Sequence, residues 1–234
     1  NVDFYGSGSN GTFDYTFTLN KLYHISIVKS GFDVSLYVNG SFEQTKQPNG
    51  SVATNIGNTN PQIGKYYSQQ MNWDGFMSNF AIYNSALTAS QVSTLFNFGT
   101  PQTNISFSPT NYYKLDNTTA GINNTGSLGA TYNGTIVGTN ILQATTPVVV
   151  TPSWKIPTAL TIPSINYTSA LKLESSNSES VAFSSSINTS STSTFSMWLK
   201  PTSTNNQYLL STGSGVNGIL IKTSVGITKV YFYD

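Results

Sequence analysis

The chain has 234 residues, 38% of them hydrophobic and only 8% charged, so it can bury an ordinary core while its surface is wetted by Asn, Ser and Thr rather than by ions. Its ten basic residues are all lysines, scattered singly against nine acids for a net charge of +1, which disfavours nucleic acid because phosphate recognition needs clustered cations. Cysteine is absent, excluding disulfides and thiolate metal sites, and no apolar run approaches the roughly 18 residues of a membrane-spanning helix.

The first six residues, Asn1-Val2-Asp3-Phe4-Tyr5-Gly6, alternate in strand fashion and return at the far end as Lys229-Val230-Tyr231-Phe232-Tyr233-Asp234. The offset is 228 residues (230 − 2), which places Phe4 on Phe232 and Tyr5 on Tyr233. Read as a repeat, the chain is one period with its cut inside a domain. Tyr23-His24-Ile25-Ser26-Ile27-Val28 and Val34-Ser35-Leu36-Tyr37-Val38 follow as strands, the second closed by the turn pair Asn39-Gly40. Further strands are predicted around 62–65 and 75–83. One helix is predicted near 89–96: Thr88-Ala89-Ser90-Gln91 is a capping box, Val92 and Leu95 supply the apolar face, and Gly99 sits after the end.

Between 100 and 157 prolines at 101, 109, 147, 152 and 157 bracket Asn/Gly/Thr-rich sequence, which reads as a connection. Within it Asn111 to Asp116 reads as the opening strand of a following domain. Strands are then predicted around 170–174, 180–183, 194–200, 208–211 and 218–222. The division is therefore 1–100, a half-domain; 101–156, a linker carrying the opening strand; and 157–234, a second half-domain.

From Leu22 to Gly99 the order of parts resembles the second half of laminin G-like, concanavalin A-like jelly rolls. The resemblance is carried by Tyr23-His24-Ile25, Leu36-Tyr37-Val38-Asn39-Gly40, Ile63-Gly64, Trp73-Asp74-Gly75-Phe76-Met77, Ile82-Tyr83-Asn84 and Ala86-Leu87-Thr88 through Leu95-Phe96. The first half of the same family is similar to Tyr112-Tyr113-Lys114-Leu115-Asp116, Asn123 to Gly126, Asn133-Gly134-Thr135, Ala170-Leu171-Lys172-Leu173 and Thr194-Phe195-Ser196-Met197-Trp198-Leu199-Lys200-Pro201. The expected fold is thus all-β, an antiparallel jelly-roll sandwich with one short helix, and its second half precedes its first. The duplicated strand argues against closure within one chain, because two segments would fill one sheet position. A window from a tandem array is the preferred expectation, with completion between neighbouring copies second.

The resemblance implies a Ca²⁺ site at Asn79 and Asp116, but the family's acidic pair reads Ser78-Asn79 here and the early loop offers Asn123-Asn124, so most of the ligand charge is gone and no cofactor is expected. Trp73, Asp74 and Asn79 are the candidate ligand-binding residues: an exposed Trp beside a carboxylate would suit a sugar ring, against the alternative of a Trp packed in the sandwich. His24, the one histidine, has no partner identifiable from spacing. Glu174 and Glu179 miss the acidic motif of the glucanase relatives, and five residues apart on a strand they would point to opposite faces.

No enzymatic activity is expected. The first expectation is a structural or adhesion module of a tandem-repeat extracellular, cell-surface or virion-surface protein. Its partners would be neighbouring copies or repeats of itself, with no nucleic acid and no membrane insertion. A carbohydrate-binding lectin is the alternative, and a polysaccharide-active enzyme comes third.

Overall fold

The computed structural model describes residues 4–5, 13–47, 61–65, 72–99, 107–138, 141–143, 148–150, 165–167, 170–183, 185, 187, 191–205, 207–211, 218–224 and 227–233. Strands β1 (Phe4–Tyr5), β2 (Tyr23–Ser30), β3 (Asp33–Val38), β4 (Ser41–Lys46), β5 (Gln62–Ile63) and β6 (Gly75–Tyr83) precede helix α1 (Ala89–Phe96). After it come β7 (Asn111–Tyr113), β8 (Gly134–Val137), β9 (Leu142–Gln143), β10 (Val148–Val150), β11 (Ile165–Tyr167) and β12 (Leu171–Leu173). The last five are β13 (Ser180–Phe183), β14 (Thr192–Pro201), β15 (Gln207–Ser211), β16 (Gly218–Ser224) and β17 (Ile227–Tyr233).

An eight-stranded sheet runs β4-β3-β2-β14-β6-β12-β9 with β7 on β6, and a seven-stranded sheet runs β1-β17-β16-β15-β5-β13-β8. Strands β10 and β11 form a separate antiparallel pair. Alternation explains the layering. On β2, Ile25 and Ile27 join the main core; on β14, Phe195, Met197 and Leu199 do the same, opposite Ile63, Val181, Phe183, Leu209 and Leu210 of the other sheet. The intervening residues His24, Ser26, Thr194, Ser196 and Trp198 face the other way, yet they too are buried. Helix α1 is the reason: Val92 and Leu95 pack with Val28, Ala81, Tyr83 and Tyr112 in a second cluster on the outer face of the larger sheet.

The sequence sets each boundary of that helix. Gln91 N–H donates to Thr88 Oγ1 at 3.3 Å while Thr88 N–H donates to Gln91 Oε1 at 2.8 Å, completing the capping box. The stop differs from expectation. Asn97 takes the left-handed C-cap at φ 43°, two residues before Gly99, because the short amide side chain of Asn tolerates that region. The Asn39-Gly40 turn forms with φ of 51° and 76°, and a side chain at Gly40 would press on the Phe96 ring.

Strand β14 sits between β2 and β6, in register from Thr192↔Ser30 to Leu199↔Tyr23 on one side and from Thr194↔Tyr83 to Pro201↔Gly75 on the other. The early and late parts of the chain therefore share one sandwich, which corrects the objection to closure within the chain. The duplicated strands do not contest a seat. β17 takes the antiparallel ladder on β16, and β1 adds outside it as a parallel edge strand. Residues 107–138, inside the expected connector, belong to the sandwich as well: Tyr113, Leu115 and Ile122 enter the core and β8 pairs with β13. Trp154 and the prolines at 101, 147, 152 and 157 lie outside the described residues. Among the described residues no helix is long and apolar enough to cross a membrane.

Candidate functional site

Asn79 owes its position to a bulge. The β6–β14 register slips between Ser196↔Ala81 and Trp198↔Ser78, so β6 carries one extra residue there, and Asn79 turns to φ 47°. Its backbone N–H is received by the Lys114 carbonyl at 2.8 Å, and its side-chain Oδ1 accepts the Tyr112 hydroxyl at 2.7 Å. Burial, and secondarily the negative charge of Asp116, pushes the Tyr112 phenol up to about 12, so at neutral pH it stays a proton donor. Asp116 accepts from Asn117 Nδ2 at 2.9 Å, and a side chain at Gly121 would collide with its Oδ1.

The fold thus gathers the two predicted metal ligands around Tyr112, but the donor set does not suit Ca²⁺. It offers one carboxylate and an amide oxygen already receiving a hydroxyl proton, where Ca²⁺ takes six to eight oxygens. Among the described residues no three His, Cys, Asp or Glu side chains come together in a metal-holding group.

Behind Asn79 lies a pocket lined by His24, Ala81, Leu95, Tyr112, Ser196 and Trp198. Its volume of about 10 Å³ has room for about one water molecule. His24 Nε2 lies 2.8 Å from Ser196 Oγ, which also accepts from Ser26 Oγ at 3.1 Å. A serine beside an imidazole suggests a nucleophile and base, but the rest of the arrangement denies it. The ring is wedged against Trp198 and Phe96, and among the described residues Nδ1 is buried without a partner and no carboxylate orients it.

Burial lowers the His24 pKa from its ordinary 6.5 to about 3, too weak a base for the task at neutral pH. This has a consequence for stability. Between those two values the unfolded chain binds a proton that the native chain refuses, so stability is full above pH 6.5 and falls on acidification. The slope approaches about 1.4 kcal/mol per pH unit. The urea midpoint should therefore drop between pH 6.5 and 5, and His24→Gln should flatten that limb; an unchanged limb in the variant would mean that other groups cause it.

Trp73 is fully buried in the main core, which corrects its reading as a stacking platform: no ring face reaches solvent. Gly64 receives the Trp73 N–H at its carbonyl (2.8 Å), and this locks the approach to β6. Asp74 closes a junction with the end of β14. Its backbone N–H donates to Gln207 Oε1 at 2.5 Å, its carboxylate accepts Thr202 Oγ1 at 3.1 Å, and its carbonyl accepts Thr202 N–H at 2.9 Å. Trp73, Asp74 and Asn79 do not form one surface site; Trp73 is core, and the other two serve different junctions.

The two glutamates also behave differently from expectation. They flank a short 3₁₀ turn, Ser175–Asn177, rather than lying on one strand, so strand periodicity does not separate them. Ser178 at φ 52° folds the chain back, Glu179 Oε2 accepts the Glu174 backbone N–H at 2.7 Å, and Asn177 Nδ2 reaches both carboxylates at 3.1 and 3.4 Å. Glu174 pairs with Lys172 at 2.5 Å, and Glu179 is fully buried. The pair clasps a turn, with Glu179 withdrawn from solvent and Glu174 held by Lys172.

No curated protein and no solved structure matches the chain. Residues 2–93 do match a family model, described as the Concanavalin A-like lectin/glucanases superfamily. The match spans β1 to the middle of α1, the segment that supplies four strands of the larger sheet and the helix over it. Over residues 2–93 the chain is accordingly similar to that superfamily, and with the later strands these residues build an antiparallel jelly-roll sandwich.

Proposed function

We propose that the protein is a non-enzymatic structural and adhesion module of an extracellular, cell-surface or virion-surface assembly, working without a bound metal. One observation carries this reading: the polar groups placed where the superfamily meets ligands are engaged inside the fold. Asn79 holds Tyr112, Asp74 holds Thr202, and the two clustered glutamates hold a turn. A surface of hydroxyls and amides with 8% charged residues suits a module packed among copies of itself rather than one steering a charged substrate.

A lectin is the second reading, and Phe98 favours it. Held at φ 54° just past the helix, it is 73% exposed, a ring face open to stacking. A glycan array probed with and without millimolar Ca²⁺ separates the two. The module reading expects no sugar signal in either condition and no release of reducing ends from polysaccharides. A signal lost in Phe98→Ala would establish the lectin instead, and turnover lost in Glu174→Gln would establish an enzyme.

A further inference from the structure

We infer that β1 is an exchange strand whose partner is a second copy of this chain. The inference deepens the structural-module reading and rests on it for its purpose, whereas its geometry stands on the two strands alone.

Three observations converge on it. First, Val2, Phe4 and Tyr5 repeat as Val230, Phe232 and Tyr233, so the chain carries one strand sequence twice. Second, the fold brings the copies side by side with like opposite like, Phe4↔Phe232 and Tyr5↔Tyr233. Third, this is the parallel pair of a sheet whose other described pairs, β5 with β13 and β15, β8 with β13, β15 with β16 and β16 with β17, are all antiparallel. Parallel pairing is slightly the weaker per residue, and β1 makes it over two residues at a sheet edge.

β17, by contrast, pairs with β16 over its whole length, from Gly218↔Tyr233 to Ser224↔Ile227. One copy is continuous with β16. The other leads on toward Phe13, which is fully buried in the core. Within one chain the two copies hold different places, β17 on β16 and β1 outside it, yet they share the residues that face Gly218, Ile219 and Ile221.

In a second copy, β1 of the first takes the seat on β16, antiparallel, and the resident β17 moves to the outer place that β1 held. At the positions the two copies share, opposite Gly218, Ile219 and Ile221, β16 meets the same residues after the trade as before it. Affinity comes from main-chain hydrogen bonds, as in other strand additions, and register comes from the shared Phe-Tyr pair. Repeated from copy to copy, the trade joins modules head to tail.

The absence of cysteine makes the test clean. In the exchanged form Tyr5 stands where Tyr233 does, opposite Gly218, and Phe4 stands opposite Ile219. Cross-strand Cα separations of about 4.5–5.5 Å fall within disulfide range. Single variants Tyr5→Cys and Gly218→Cys are mixed in equal amounts at high protein concentration and oxidised, with Phe4→Cys and Ile219→Cys as a second pair should Gly218→Cys fail to fold by circular dichroism. The expected result is a mixed disulfide of doubled mass, together with concentration-dependent mass in light scattering that is lost when residues 1–6 are deleted. A chain that stays monomeric, and whose Tyr5→Cys,Tyr233→Cys double variant closes only an intrachain disulfide, overturns the inference. That outcome leaves the glycan-array test of the module reading untouched.

Discussion

Replacing Phe195 with alanine should destabilise the whole protein by about 3–5 kcal/mol and lower its melting temperature by about 6–20 °C. Phe195 is 1% exposed, on the strand that both flanking neighbours need. It lies opposite Ile27 of β2 and Ile82 of β6, so the cavity left by its ring opens between segments that are distant in sequence. Native domains have only about 5–15 kcal/mol to lose, and a drop of this size removes a large share. The effect should also be cooperative. Tryptophan fluorescence and far-UV circular dichroism should report one coincident urea transition at the lowered midpoint, because Trp73 lies in the main core and Trp198 on β14 packs against His24 of β2. Two separated transitions would mean that the early and late segments unfold independently.

Gly75→Ala should be the costliest single-methyl change. Gly75 opens β6 at φ 148°, a conformation side-chain-bearing residues rarely adopt, and it lies between Pro201 of β14 and Leu173 of β12. A Cβ there would overlap the Lys200 carbonyl oxygen and sit 3.1 Å from Pro201 Cα. The backbone contribution alone is about 1–3 kcal/mol, and the clash adds to it because main chain held in a ladder cannot swing aside as a side chain can. Gly31→Ala is the matched control: φ is 61°, but nothing stands within 4 Å of the added methyl. Urea midpoints should show Gly75→Ala clearly below Gly31→Ala, and equal losses would mean that the strand junction yields.

The contrast between what was legible in the residues and what was not follows physical lines. β2, β3, β6 and β14 announced themselves because one face is apolar at every second position, and burial of that face is what forms them. The helix was legible because its capping box is a local device, complete within four residues. β4 was not foreseen. Its Ser-Phe-Glu-Gln-Thr-Lys sequence lies on a sheet edge with mostly exposed residues, Phe42 included at 55%, so no apolar stripe marks it. β8 escaped for a similar reason, being only partly buried.

The candidate site was read in its parts but not in its use. Asn79 and Asp116, read as a metal pair, both lie by Tyr112, the first accepting its hydroxyl and the second acting on it through its charge. What the residues alone could not convey was the bulge that turns Asn79 onto a phenol and the 3₁₀ turn that draws Glu174 and Glu179 together. Both break the regular period from which side-chain direction is inferred. Trp73 shows the same limit from the other side: its neighbour Asp74 suggested a wet surface, but the chain turns between them, leaving Trp73 in the core and Asp74 on Thr202.

One sandwich is completed by two sequence segments, with β14 inserted between β2 and β6. Cutting the chain between 103 and 104 and preparing the two fragments separately tests it most directly. Each fragment alone should give the circular dichroism of an unfolded chain, since each lacks neighbours for its central strands, and mixing them should restore strand signal and cooperative unfolding at one-to-one stoichiometry. A fragment that folds and unfolds cooperatively by itself, with no change on mixing, would contradict the account.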